Sequence, residues 1–245
     1  MRNRFTDSRG FTLIELVIVI LVIGVLAAVA TLRMKESVDT ARYEQTKKEL
    51  DQLAMAIAGN PEVYTNGARS DFGFVGDNGR LPANLDQLVQ NPGGWSTWGG
   101  PYMQAGIAAD DFKKDAWNIG YTYTDTLIRS TGSGAIIDKR IAASTASLLS
   151  NTITGVVVDA DLESPGIAYA DSVRVQLIYP NGSGALTAST ITPDALGRFT
   201  FSGIPIGNRL LRVIHIPATD TMSYQVAVCP GRDVDLQIIF PADLW

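Results

Sequence analysis

Histidine and cysteine are nearly missing from this 245-residue chain: His215 and Cys229 are the sole examples. A single cysteine excludes an intrachain disulfide. One imidazole in the chain rules out most zinc sites, and a Cys–His nucleophilic pair is not expected. Cys229 closes the apolar run Val226–Cys229 and is expected to behave as a buried small hydrophobe. His215 sits among alternating apolar residues and is expected to face outward from a strand. Lysine ends at Lys139, and charged residues make up 18% of the chain against 46% hydrophobic, for a net charge of −5. An acidic chain argues against nucleic acid as a primary partner. Neither a nucleophile elbow nor a P-loop occurs. The carboxylate pair Asp233/Asp235 reads as solvated strand residues, so no catalytic residue is assigned and no enzyme is expected.

What is present begins at the amino terminus. From Phe11 to Leu32 run 22 residues with one charge, Glu15. At about 1.5 Å per residue, a helix of that length crosses a bilayer core. An ionised acid in hydrocarbon costs roughly 3 kcal/mol, so Glu15 calls for a counter-charge. Arg2, Arg4 and Arg9 precede the run, which places the amino terminus on the cytoplasmic side and everything after the helix outside it.

The stretch Gly10-Phe11-Thr12-Leu13-Ile14-Glu15-Leu16 resembles the processing site of type IV prepilins and type II secretion pseudopilins. The resemblance implies cleavage between Gly10 and Phe11 by a membrane prepilin peptidase, N-methylation of Phe11, and neutralisation of Glu15 by the amino terminus of a neighbouring subunit. It implies as partners further copies of the chain, other pilin-like subunits and an inner-membrane assembly platform. The chain would be single-pass in the inner membrane with its body in the periplasm, and after assembly would stand in a periplasmic or surface filament.

No proline or glycine interrupts the chain between Val25 and Ala58, and Met34, Val38, Ala41, Leu53, Ala54 and Ile57 keep a three–four spacing. One helix is expected over Thr12–Ala58, stopped by Gly59 and Pro61. Pairs four apart are expected on its outer face: Lys35/Asp39, Glu44/Lys48 and Lys47/Asp51. Type IV pilin-like sequences often carry a proline near the end of the apolar run, where this chain has Thr31-Leu32.

A loop-rich head follows. Asn66-Gly67 and Asp77-Asn78-Gly79 are turn signals, Leu81–Val89 reads as a short helix with Asn84 as N-cap, and Tyr121–Thr124 and Leu127–Arg129 read as paired strands. The series Leu81-Pro82, Asp86-Gln87-Leu88, Gly93-Gly94-Trp95, Gly100-Pro101-Tyr102, Lys114-Asp115-Ala116-Trp117 and Tyr121-Thr122-Tyr123 is similar in order to the head of the major type II secretion pseudopilin. In that family a loop after these strands often binds calcium. Ser130–Gly134 has no acid, with Asp125 and Asp138 nearest, so no calcium ligand set is identified. Asp110, Asp111 and Asp115 read as a solvated acidic turn, with a calcium site there as the alternative. Trp95 and Trp98 either cover the head's core, stack on sugars or meet another subunit.

The small polar stretch 142–151 is read as a boundary. Beyond it come seven β-rich runs, Ile153–Asp159, Val173–Tyr179, Leu186–Ile191, Phe199–Phe201, Leu210–Ile216, Tyr224–Val228 and Val234–Phe240, which predict a β-sandwich. Gly155–Asp159 and Gly197–Gly207 resemble the carboxypeptidase-regulatory-like, prealbumin-type sandwich. Leu244 and Trp245 either cap it or form a contact tip.

The expected fold class is α+β: leader 1–10, transmembrane segment 11–32, pilin-like head 33–150 including the rest of the helix, and β-sandwich 151–245. The expected function is a structural subunit of a type II secretion pseudopilus or related filament. The alternatives are a minor type IV pilin for adhesion or motility, or a membrane-anchored extracytoplasmic binding protein. Cargo and any ligand of the sandwich are not legible.

Overall fold

A computed structural model describes residues 12–103, 110–216, 218 and 220–245. The chain divides into two compact units, one ending at Gln45 and one running from Thr46 to Trp245. Helix α1, Leu13–Ala58, is continuous over 46 residues, as its uninterrupted run of helix-formers predicts. Residues 12–38 are all exposed, whereas Thr46, Leu50, Leu53, Ala54, Ala56 and Ile57 are buried. The helix stops at Gly59, whose φ of +79° favours a residue without Cβ and whose N–H donates to the Met55 carbonyl at 2.7 Å. Arg69 takes the orphan carbonyls at this end: its Nη2 donates to Ala58 O at 2.6 Å and Gly59 O at 3.1 Å.

On the surface of α1, Asp39 pairs with Arg42 at 3.9 Å rather than with Lys35, Arg33 pairs with Glu36 at 3.2 Å, and Asp51 reaches Lys139 of the head at 2.5 Å.

Within the second unit, Leu50, Leu53 and Ile57 pack with Phe72, Phe74, Val75, Leu88, Phe112, Ile128 and Leu148 into a first core. Asn66-Gly67 makes the tight turn between β1 (Tyr64–Thr65) and β2 (Ala68–Arg69), both residues at positive φ as such a hairpin requires. Asp77-Asn78-Gly79 is not a free turn; it closes α2 (Gly73–Asn78), with Gly79 as left-handed C-cap. Leu81–Val89 shortens to one 3-10 turn, Leu85–Leu88, and Asn84 makes no side-chain cap. Gln87 supplies the local bond instead, its Oε1 accepting from Ala83 N at 2.9 Å. Strands β3 (Thr122–Thr124) and β4 (Leu127–Ser130) pair antiparallel as expected, and β5 (Ile137–Arg140) adds a third strand that the sequence reading missed.

Residues 142–151 hold a helix, α3 (Thr145–Leu149), closed by a reciprocal Ser144/Ser147 capping box. All seven later runs are strands. They are β6 (Asn151–Val158), then, after α4 (Gly166–Tyr169), β7 (Val173–Pro180), β8 (Leu186–Ile191), β9 (Arg198–Ile204), β10 (Gly207–His215), β11 (Asp220–Val228) and β12 (Val234–Ile239). They form a four-stranded sheet ordered β11-β10-β7-β8 and a three-stranded sheet ordered β12-β6-β9, in which β12 runs parallel to β6. Ile153, Val157, Val175, Leu177, Phe199, Phe201, Leu211, Val213 and Ile238 form a second core with their neighbours. Strand periodicity supplies it, since alternate residues point to one face.

Two residues depart from their expected settings. His215 faces inward, only 7% exposed, because it shares parity with Leu211 and Val213; its ring meets Phe240 at 6.1 Å and Trp245 at 6.4 Å. Cys229 lies just past β11, half-buried, and packs against the first core rather than within a strand.

Candidate functional site

The start of α1 is the first place where sequence and geometry converge. Thr12 stands just ahead of the helix; its Oγ1 accepts from Glu15 N at 3.3 Å and its carbonyl from Leu16 N at 3.2 Å. This is the Thr half of a capping box, with Glu15 at its third position. The sequence reading singled out Glu15 and passed over Thr12, although Thr-x-x-Glu ahead of an apolar run is a readable signal. Glu15 thus lies in the first helical turn, where the partial positive charge of the helix end stabilises a carboxylate by about 0.3–1 kcal/mol. Its side chain is exposed, and the helix has no further charge until Arg33, eighteen residues on and about 27 Å away. The helix itself therefore brings no cation to Glu15. Gly10 and Phe11, the expected cleavage and methylation positions, lie outside the described residues.

The head's acidic loop is built differently from a solvated turn. Asp115 is 5% exposed. Its Oδ1 accepts from Trp117 N and Ile119 N, both at 2.9 Å, and its Oδ2 from Ser130 Oγ at 2.6 Å and Gly132 N at 3.0 Å. Asp110 pairs with Lys113 at 2.6 Å, and Asp138 forks onto Arg129 at 2.7 and 2.8 Å. No group of three or more His, Cys, Asp or Glu side chains positioned for a metal occurs among the described residues. Trp95 and Trp98 serve the core-covering alternative. Trp98 Nε1 donates to Gln87 O at 2.9 Å and its ring meets Tyr102 edge-on at 5.7 Å, while Trp95 lies 6.4 Å from Phe74 under the Arg80 guanidinium.

Comparison with known proteins bears on the helix start. Residues 6–31 match the family described as the prokaryotic N-terminal methylation motif. The chain is 33% identical over 95 residues to the type II secretion system core protein G of Xanthomonas campestris pv. campestris, covering 39% of this chain and 57% of that protein. It is also 33% identical over 98 residues to the type IV narrow pilus major component PilA5 of Thermus thermophilus, covering 40% of this chain and 72% of that one. The chain belongs to the type IV pilin and pseudopilin family. Among solved structures, the streptococcal ancillary pilin matches at 14% identity and a TM-score of 0.26, over 49% of this chain and 43% of that one. The Bacillus cereus major pilin subunit BcpA matches at 13% identity and a TM-score of 0.24, over 51% and 42%. At such scores neither likeness carries an argument.

In this pilin-like chain the head and the sandwich share a built junction. Ile206, between β9 and β10, is fully buried in the head's core, and Ala227 and Cys229 pack beside it. Its N–H donates to Leu148 O at 2.9 Å, and Gly231 N donates to Ser147 O at 3.0 Å and Asn151 Oδ1 at 2.9 Å. Ser96 N and Oγ both donate to Gly184 O at 2.9 Å. Gly184, at a φ of +88°, lies so close under Trp95 that a Cβ would fall 2.2 Å from the ring.

Arg209 stands at the centre, 3% exposed. It donates Nη1 to Gly76 O at 2.9 Å, Nε and Nη2 to Pro205 O at 3.1 and 3.0 Å, and Nη2 also to Ile206 O. Burial lowers its pKa to about 10, opposed by the charge of Asp77. Asp77 in turn is held above the usual carboxylate range, chiefly by desolvation, while it accepts from Tyr102 Oη at 2.8 Å. The sequence reading missed Arg209 and Arg69 because each acts on backbone carbonyls and leaves no partner motif.

Proposed function

We propose that the chain is a structural subunit of a type II secretion pseudopilus or a related type IV pilus-like filament, and that it acts mechanically rather than as a catalyst. In this reading residues 1–10 are a leader, 11–32 cross the inner membrane once, and the body from the head to residue 245 lies in the periplasm. A prepilin peptidase cuts between Gly10 and Phe11 and methylates Phe11. The assembly platform then moves the subunit from lipid into a helix-packed filament core. The observation that carries this reading is Glu15, in the first turn of a helix exposed from residue 12 to residue 38 and without a second charge until Arg33. A carboxylate in such a rod is neutralised by the free amine of a neighbouring copy, and the pair fixes axial register, since a slip of one turn strips both charges. The β-sandwich is then carried on the outside of the filament.

A pilus for adhesion or motility is the second reading, supported by the similarity to the narrow-pilus component, which matches over a larger share of its length than the secretion protein does. Mass spectrometry of the mature amino terminus, in cells that hold a prepilin peptidase, tests the processing step. The expected product begins at N-methylated Phe11; a chain still beginning at Met1 sinks the proposal. Deletion of the outer-membrane secretin or of the pilus retraction machinery in the native cell, scored by secreted protein and by twitching, separates secretion from motility.

A further inference from the structure

The junction fixes which end of the sandwich meets the head. Asn151, Pro180, Ile204, Gly207 and Val228 end or begin strands there. The opposite strand ends, Val158, Val173, Arg198, His215 and Asp220, therefore form a far tip. Three loops of this tip are tied together, by Gly166 N to Ala195 O at 3.0 Å, Ser164 Oγ to Leu196 O at 3.2 Å and Ile216 N to Ser172 O at 2.8 Å. From them Leu162, Ile167, Tyr169, Leu196 and Ile216 project into solvent, with Ile167 93% exposed. Leu162 does so at a φ of +66°, a left-handed conformation that a branched side chain adopts at a penalty of order 1 kcal/mol. Clustered exposed apolar side chains on an otherwise well-packed body mark an interaction surface.

The rim is mainly acidic, with Arg174 and Arg198 the cations at this end. From residue 151 onward the chain has nine carboxylates, five arginines and no lysine. Six of those acids, Asp161, Glu163, Asp171, Asp194, Asp220 and Asp243, are exposed on or beside the tip loops. Trp245 Nε1 on Glu163 O at 2.9 Å and Ala160 N on Ala242 O at 3.2 Å bring the carboxyl-terminal segment, with Asp243, to the same end. An apolar centre inside a charged ring is the anatomy of a protein-binding patch. The sign of the ring opposes nucleic acid and anionic lipid, and attracts a protein surface of opposite charge.

We propose that the far tip of the sandwich is a docking surface for a protein partner that presents an apolar patch flanked by lysine or arginine. This does not depend on filament assembly, because the tip is complete within one chain.

The test is selection of a random phage-displayed peptide library on the full chain held in nanodiscs. Counter-selection uses the Ile167→Ser/Leu196→Ser double variant in the same discs, which cancels lipid binding. Both side chains are exposed, so the variant is expected to keep the wild-type melting temperature. The expected result is enrichment of peptides with apolar residues flanked by Lys or Arg. Their affinity should fall about tenfold or more on that variant and on Asp171→Asn/Asp220→Asn, and hold within about twofold on Asp233→Asn/Asp235→Asn, which removes equal charge near the head. No enrichment, acidic peptides, or equal loss on the Asp233/Asp235 control would each overturn the proposal, the last by reducing it to net charge.

Discussion

One helix, α1, serves two regions under opposite rules. In its first part, Leu13 to Leu32, every described side chain is exposed and Glu15 is the one acid. In its last part, Leu50, Leu53 and Ile57 are sealed in a core, each such burial contributing about 1.5–3 kcal/mol. The body carries a buried charge as well, Arg209, but surrounds it with three carbonyls of its own chain. The first region thus leaves its apolar surface and its carboxylate for the surroundings to satisfy, while the second satisfies itself. An element finished within its chain is a scaffold, and an element left open in this way is an interface.

The largest effect that could break this contrast is at Glu15. In the proposed function, Glu15→Leu removes the carboxylate that the amine of a neighbouring copy neutralises. The proposed function then expects subunit incorporation into sheared filaments to drop roughly a hundredfold, corresponding to about 3 kcal/mol. The melting temperature of the body should not change. Unchanged incorporation would favour a tethered binding protein that never polymerises.

Next come residues that close the body on itself. Arg209→Met strands the carbonyls of Gly76, Pro205 and Ile206 and is expected to cost about 3–5 kcal/mol in urea unfolding, against less than about 0.5 kcal/mol for Arg212→Ala on the outer face of the same strand. Ile206→Ala, which empties a sandwich-borne position in the head's core, should cost about 2–5 kcal/mol. If head and sandwich are one cooperative unit, the loss appears as a shift of a single transition. Two transitions, with only one displaced, would show that the junction is weaker than its packing suggests.

The smallest effects concern pH. Desolvation raises the pKa of Asp77, so its proton binds more tightly in the folded state. Its contribution is full below the ordinary carboxylate value of about 3.9 and is lost as pH rises through the folded value. The pKa of Asp138 is lowered by the hydrogen bonds from Arg129, so its contribution is present above that ordinary value and lost as pH falls through the folded one. Urea midpoints measured against pH should therefore lose opposite slopes in Asp77→Asn and Asp138→Asn. Equal slopes would mean that neither environment is as described.

Long or strongly periodic segments were legible in the sequence. The 46-residue helix, the seven strands and the Asn66-Gly67 turn all follow from local pattern. The phase of β10 was not, because Leu210, Leu211, Val213 and Ile214 put apolar residues on both faces. The sequence reading therefore turned His215 outward, where the register turns it in. Helix α3 was hidden by its composition: serine, threonine and alanine suggest a loop, and its one buried residue is Leu148. Of the candidate site, Glu15 stood out because a lone charge in an apolar run is conspicuous. Arg209 did not, because a cation bound to backbone oxygens looks from the sequence like any surface arginine.

Asp115 has a consequence of its own. An ionised carboxylate offers about four lone-pair positions, and here each oxygen already receives two donors from the polypeptide. The loop is self-ligated: amides and a serine hydroxyl hold it as a divalent ion would hold a chelate, with no lone pair left on that carboxylate for one. Stripping buffers with a chelator should leave that corner of the head as firm as before.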